Sequence, residues 1–292
     1  MSTRYRIEIL DAITDPGKLT RPNEDSFGHN ADSAFVVDGA TGLGDRQFMP
    51  GHGSDAAWIA AFSALRLREN LTGTCDVRTV IREICRQAAD EFRSIAGDQP
   101  RYAWPLSALA AARATPQGFE FIGLGDCCLY LLPDTGEAEI HMAIPDAFQR
   151  EQAAAREHIL RVGGIGPSGA ANDDPTTLAG LRRHRERQNT DGGDVWTLGL
   201  VPEAANHLTI HPLPLKSSAT AIVCSDGLAD LVALYHAHDA AGLVEAARMS
   251  GLASLVDELR HFEREIDPDG QRFPRFKQSD DTTAILLRLT VD

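Results

Sequence analysis

Four short stretches of this 292-residue chain place acidic side chains where an apolar run begins or ends. They are Asn23-Glu24-Asp25, Val37-Asp38-Gly39-Ala40-Thr41-Gly42, Ser225-Asp226-Gly227-Leu228 and Ser279-Asp280-Asp281-Thr282-Thr283. If the strand ends that carry them meet at one rim, the carboxylates converge, and like charges held that close require a cation between them. Gly39 follows Asp38, and its missing side chain lets a backbone carbonyl approach a ligand closely. An all-oxygen donor set points to Mg²⁺ or Mn²⁺, which take about six oxygen ligands and retain several waters. The histidines are scattered, and His236-Ala-His238 has no thiol or imidazole companion, which argues against zinc. Two such ions roughly 3.5–4 Å apart would acidify a bridging water and stabilise both oxygens of an in-line displacement at phosphorus. That chemistry needs no protein nucleophile. It suits a chain without a Gly-x-Ser-x-Gly elbow, a cysteine-arginine loop or a phosphate-cradling Gly-x-x-x-x-Gly-Lys motif.

The elements that must position these acids can be read from periodicity. Tyr5 to Leu10 alternates as a strand, and Ala34 to Val37 is a short apolar run leading straight into Asp38. Ser54 caps a helix with Ala57, Ala60, Ala64 and Leu67 on one face, and Asp76 begins a second with a stripe from Val77 to Ile95. Leu106 to Ala114, Phe119 to Leu124 and Cys128 to Leu132 read as consecutive strands joined by turn residues. The middle of the chain differs: Asp146 to Val162 and Leu178 to Gln188 read as polar, Arg-rich helices separated by the Gly-rich stretch from Gly163 to Ala170. We read positions 141–194 as a helical insert or flap within one domain spanning 1–292. Val195 to Leu198 and Ala219 to Ser225 resume strand pattern. Helices Leu228 to His236 and Ala240 to Phe262 follow, the latter broken near Gly251, and Ala284 to Leu289 closes the chain as a strand. This order does not match the regular alternation of a parallel doubly wound sheet. It predicts an α+β fold of two mainly antiparallel sheets with helices on both outer faces.

Composition narrows the function. A formal net charge of −14 opposes nucleic acid as a partner, since phosphate neutralisation needs a basic face. No run approaches the roughly 18 apolar residues of a membrane span, and the first residues lack a signal-peptide apolar segment, so the expectation is a cytoplasmic protein with no membrane partner. The five cysteines show no metal-ligand spacing and read as buried free thiols.

Taken in order, these motifs resemble the metal-dependent serine/threonine phosphatases of the protein phosphatase 2C (PPM) family, in a bacterial-type version. The resemblance covers nearly the whole chain and includes Gly123-Leu124-Gly125-Asp126. It implies a four-layer α-β-β-α sandwich with two or three Mg²⁺ or Mn²⁺ ions at one end of the sheets. It implies hydrolysis of phosphoserine or phosphothreonine in a protein substrate through a metal-bridged hydroxide. By that similarity Asp38 bridges two ions, the Gly39 carbonyl binds one, and Asp226 and Asp280 bind the other. Asp25, with Glu24 nearby, acts through water, while Asp126 and Asp230 hold a third ion. Asp38, Asp226 and Asp280 are the catalytic core of this expectation.

Three departures from the family pattern stand out. The arginine that the family uses to grip phosphate is replaced by Thr20, leaving Arg21 or Lys18 as substrate-binding candidates. The histidine that follows Asp-Gly in eukaryotic members is Ala40, which leaves the proton to metal-bound water or another group, and His52 reads as a substitute donor or a loop histidine with no role. The middle segment carries Arg182, Arg183, Arg185 and Arg187, which read as a phosphate-recognition surface or a solvated helix face. Three alternatives stay open: a small-molecule phosphate-ester hydrolase, a degenerate phosphatase acting as a binding module, and a structural protein with acidic turns.

Overall fold

The computed structural model of the protein describes residues 4–166 and 174–292. Among the described residues ten strands form two five-stranded sheets, and every strand pairing is antiparallel. One sheet has the order β1 (Tyr5–Asp15), β10 (Thr282–Val291), β9 (Ala219–Cys224), β6 (Cys128–Pro133), β7 (Glu139–Met142). The other has the order β2 (Asp25–His29), β3 (Ser33–Gly39), β4 (Ser107–Thr115), β5 (Gly118–Leu124), β8 (Thr209–Leu213).

The period-two alternation of the strands divides the core into three layers. Phe35 and Val37 of β3 pack outward against α1 (Asp55–Asn70) and α2 (Val77–Ala96), whereas Ala34 and Val36 face the opposite sheet. In β9, Ala219, Ala221 and Val223 face between the sheets, and Ile222 and Cys224 face the second helical layer. That layer comprises α5 (Asp226–Ala233), α6 (Ala240–Ser250) and α7 (Leu252–His261). The result is the expected four-layer α-β-β-α sandwich. Continuing the alternation places Asp38 on the inter-sheet side of β3, at the open end of the central core.

The segment between β7 and β8 carries α3 (Ala147–Val162) and α4 (Pro175–Arg187). Asp174 accepts from the Thr177 N–H at 2.7 Å, so α4 starts three residues before the expected Leu178. The Gly-rich stretch expected from Gly163 to Ala170 lies partly outside the described residues. Val195 to Leu198 forms no strand: its contribution is a single bridge from Leu198 to Ser107. The Asn189 side chain takes the Thr197 N–H at 2.8 Å, supplying the bond that a neighbouring strand would otherwise provide. The helix expected over 240–262 is interrupted at Gly251, whose φ of +80° separates α6 from α7. Cys75 is half-buried and the other four cysteines are buried, all as free thiols, as expected. No described helix is long and apolar enough to cross a membrane.

Candidate metal centre

Register brings the first two acidic motifs together. In the β2–β3 pair, Asp25 lies directly opposite Asp38. In the β6–β9 pair, Cys128 lies opposite Cys224, so Asp126 and Asp226, two residues beyond at the same end, emerge side by side. Asp226 stands in the first turn of α5, with Ser225 at the N-cap position, rather than at a strand end. Asp230 follows four residues later, on the same helix face.

Ser225 and Thr283 hold the two sheets together at this end. The Ser225 hydroxyl donates to Asp25 Oδ2 at 2.9 Å and accepts the Thr283 N–H at 2.9 Å. Asp25 Oδ1 is buried and has no hydrogen-bond partner. Asp281 Oδ2 accepts the Glu24 N–H at 2.7 Å, tying the start of β10 to the first motif. Both Glu24 oxygens are engaged, one by Ser54 at 2.7 Å and the other by Thr41 at 2.5 Å. Glu24 therefore clamps the loop after β3 to the cap of α1.

The glycines of the motifs are required by close packing. A side-chain carbon on Gly39 would lie 2.5 Å from both the Ala56 and Glu24 carbonyl oxygens, so α1 and β2 meet at this position. On Gly227 it would lie 2.3 Å from the Asp281 carbonyl oxygen and 2.6 Å from Thr282 Oγ1. Gly227 thus allows the chain carrying Asp280 and Asp281 to pass directly beneath Asp226. Arg260 anchors the same segment, donating to the Asp280 carbonyl at 2.9 Å and to Thr282 Oγ1 at 3.0 Å while pairing with Asp15 and Glu263.

The electrostatics follow from this crowding. Burial raises the Asp38 carboxyl well above its ordinary value, and the charges of Asp25, Asp226, Asp126 and Asp280 push it further. Burial lifts Asp25 to about 6, against hydrogen bonds from Ser225 and Thr283 that pull it down. Asp226 and Asp230 are also raised well above the usual range by desolvation and neighbouring carboxylates, and Asp126 is raised for the same reasons. Asp281 rises to about 7 through burial. These acids fit divalent cations chemically: the donors are all oxygens, they repel one another, and one buried carboxylate oxygen is unpartnered. Among the described residues, no three Asp, Glu, His or Cys side chains are drawn to the spacing of a closed metal cage. The convergence is one of charge on a common cleft end.

Two participants, Lys277 and Glu151, escaped the sequence reading, and a third, Arg185, was legible only as one of four arginines in the middle segment. Lys277 Nζ donates to Asp280 Oδ1 at 2.6 Å, and the Asp280, Glu24 and Asp226 charges hold its ammonium above the ordinary value despite burial. Glu151, from α3, faces Asp126 and Asp280 and is pushed up to about 7, chiefly by desolvation within the cleft. Arg185, from α4, faces Glu24 and Asp126. Of the substrate-binding candidates, Arg21 is exposed and Lys18 half-buried, in the loop between β1 and β2. His52 is exposed.

The described strands and helices form an all-antiparallel α-β-β-α sandwich with acids gathered at one end of the inter-sheet core. No protein-family model and no curated protein matches the sequence. Solved structures do match. The chain is similar to the PPM Ser-Thr phosphatase MsPP from Mycobacterium smegmatis in complex with cacodylate, with 19% identity and a TM-score of 0.54 over 96% of this chain and 98% of that one. It is similar to the catalytic domain of the serine threonine protein phosphatase PstP in complex with 2 manganese ions, with 19% identity and a TM-score of 0.52 over 99% of both chains. It is also similar to PppA, a key regulatory component of T6SS in Pseudomonas aeruginosa, with 17% identity and a TM-score of 0.52 over 98% of this chain and 99% of that one. At these identities the likeness establishes the fold.

Proposed function

We propose that this chain is a PPM-type phosphatase that hydrolyses phosphoserine or phosphothreonine in proteins and depends on Mn²⁺ or Mg²⁺. The observation that carries this reading is the pairing of Asp25 with Asp38 across β2 and β3, at the same cleft end as Asp126, Asp226 and Asp280. The manganese in PstP and the phosphatase names of the structural neighbours support it.

In this reading Asp38, Asp226, Asp280 and the Gly39 carbonyl would hold two ions, Asp126 and Asp230 would hold a third, and Asp25 would act through water. The bound ions would supply positive charge for the phosphoryl oxygens and lower the pKa of an attacking water. Ser225 fixes the orientation of Asp25 through its Oδ2, leaving the buried Oδ1 as an unspent acceptor. Lys277 fixes Asp280 through Oδ1 and leaves the carboxylate's second oxygen for other ligands. Glu151, exposed on α3, faces Asp126 and Asp280, whose charges oppose its ionisation.

A second reading, a non-catalytic phosphoprotein-binding module, rests on Thr20 and Ala40 standing where the family carries phosphate-gripping and proton-donating groups. Phosphate release from phosphopeptides with and without Mn²⁺ separates the two: turnover abolished by chelation and restored by Mn²⁺ supports the enzyme, and binding without turnover supports the module. Running phosphorylated metabolites in parallel tests a small-molecule substrate.

A further inference from the structure

If the cleft binds a phosphoryl group, a guanidinium beside its divalent ions would be suited to the oxygens that those ions leave free, and the exposed Thr20 offers no charge. Helix α4 brings arginines to the opposite wall. Arg182 donates from Nε to the Leu43 carbonyl at 2.9 Å and pairs with Asp45 at 2.8 Å, fastening α4 to the loop that follows Asp38-Gly39. Its guanidinium also lies 4.6 Å from the Tyr102 ring centroid. Arg187 turns back to the Gly192 carbonyl at 2.8 Å, and Arg183 is exposed. These three arginines are engaged or solvated.

Arg185 differs from them. It lies three residues after Arg182 and so on the same face of α4. Its Nη2 reaches the Thr41 carbonyl at 3.4 Å, and the Thr41 hydroxyl in turn donates to Glu24. Its Nη1 is buried and has no acceptor. It faces the Glu24 and Asp126 carboxylates, and no ion pair joins it to either among the described residues; the Glu24 oxygens accept from Ser54 and Thr41. Burial lowers its pKa to about 10, which leaves the group fully charged at neutral pH. Arg185 is half-buried, but a buried N–H with no acceptor on a charged guanidinium is costly until one arrives, and its planar fork matches two phosphate oxygens.

We propose that Arg185 is the residue that grips the substrate's phosphate in this chain. The assignment rests on the phosphatase reading, and it moves the phosphate-binding arginine from the loop before β2 to the helix over the cleft. A rival role is on the same side chain. Arg185, Arg101 and Gln188 line a cavity of about 10 Å³, and Arg101 Nε and Gln188 Oε1 are also unpartnered there. One water has room to satisfy all three, which would make Arg185 a purely structural support.

The test compares wild type, Arg185→Ala, Arg185→Lys and Arg182→Ala, each loaded with Mn²⁺. It measures inorganic phosphate binding by calorimetry, phosphate inhibition of aryl phosphate hydrolysis, and Tm. The expected result is about tenfold or greater weakening of phosphate binding in Arg185→Ala, with partial recovery in Arg185→Lys and unchanged Mn²⁺ affinity. KM rises with it, and Arg182→Ala lowers Tm while leaving phosphate affinity unchanged. Phosphate affinity equal to wild type in Arg185→Ala overturns the assignment, and a fall in Tm alone assigns Arg185 to the structural water. Wild-type protein that binds phosphate through Arg185 yet shows no Mn²⁺-dependent turnover refutes the phosphatase reading and leaves the phosphate site standing.

Discussion

Asp25 and Asp38 sit directly opposite each other on adjacent antiparallel strands, an arrangement that like charges destabilise. Burial raises both carboxyls, Asp25 to about 6, and the Asp25 charge pushes Asp38 further. Their pairing is the clearest sign that this end of the sandwich is built to receive positive charge.

The first expected consequence is an inverted pH dependence of stability. Asp25 and Asp281 move from an ordinary value of 3.8 to about 6 and about 7 on folding. Between about pH 4 and pH 7 the folded chain therefore binds more protons than the unfolded chain, and the cation-free protein loses stability as pH rises through that window. Thermal melts in EDTA should show Tm falling from pH 5 to pH 7.5. Mn²⁺ at about 100 times its Kd should raise Tm at pH 7.5 by roughly 5 °C or more, and by less at pH 5, where protons compete for the same oxygens. A Tm that rises with pH in EDTA would contradict this.

Asp38→Asn should separate stability from function. It removes one of the opposed charges, so the cation-free variant should melt a few degrees above wild type at pH 7.5, while its Mn²⁺ affinity collapses. A variant that melts lower and still binds Mn²⁺ tightly would place Asp38 in an ordinary structural network.

Gly227→Ala should cost about 1–3 kcal/mol, the usual range for overpacking, because the new carbon meets the Asp281 backbone at 2.3 Å. It should also weaken Mn²⁺ binding by displacing Asp226 from Asp280. Gly192→Ala is the control: its added carbon meets nothing within 4 Å, and its effect should stay within about 0.5 kcal/mol. Urea denaturation with calorimetric Mn²⁺ titration reads both quantities.

The sequence patterns carried much of the fold. The apolar runs of β3, β9 and β10 and the acids at their ends were legible because period-two burial is local and each run stops abruptly. Strands β2 and β8, Asp-Ser-Phe-Gly-His and Thr-Ile-His-Pro-Leu, were not, since they are short, polar edge strands defined by their neighbours. The run at 195–198 looked like a strand until the Asn189 side chain took its backbone partner. Lys277 and Glu151 carried no local signal, since each reaches the cleft through tertiary packing, and the Arg-rich run that includes Arg185 did not show which of its arginines faces the acids.

Arg260→Met should destabilise the protein by about 3–5 kcal/mol, the usual effect of removing one partner from a buried ion pair. Glu263, 4% exposed, would lose its bidentate partner, and the Asp280 carbonyl would lose a donor. Chemical denaturation measures the loss. A change below about 0.5 kcal/mol would show that the Asp280 segment is held by other contacts.

The central claim is tested most directly by phosphate release from a phosphoserine or phosphothreonine peptide, with wild type and Asp38→Asn measured side by side in EDTA and in Mn²⁺. The account predicts wild-type turnover that EDTA abolishes and Mn²⁺ restores, with Asp38→Asn slower by at least about 100-fold, the scale of losing a transition-state charge contact. Wild-type protein with no Mn²⁺-dependent release, or Asp38→Asn with full activity, would contradict it.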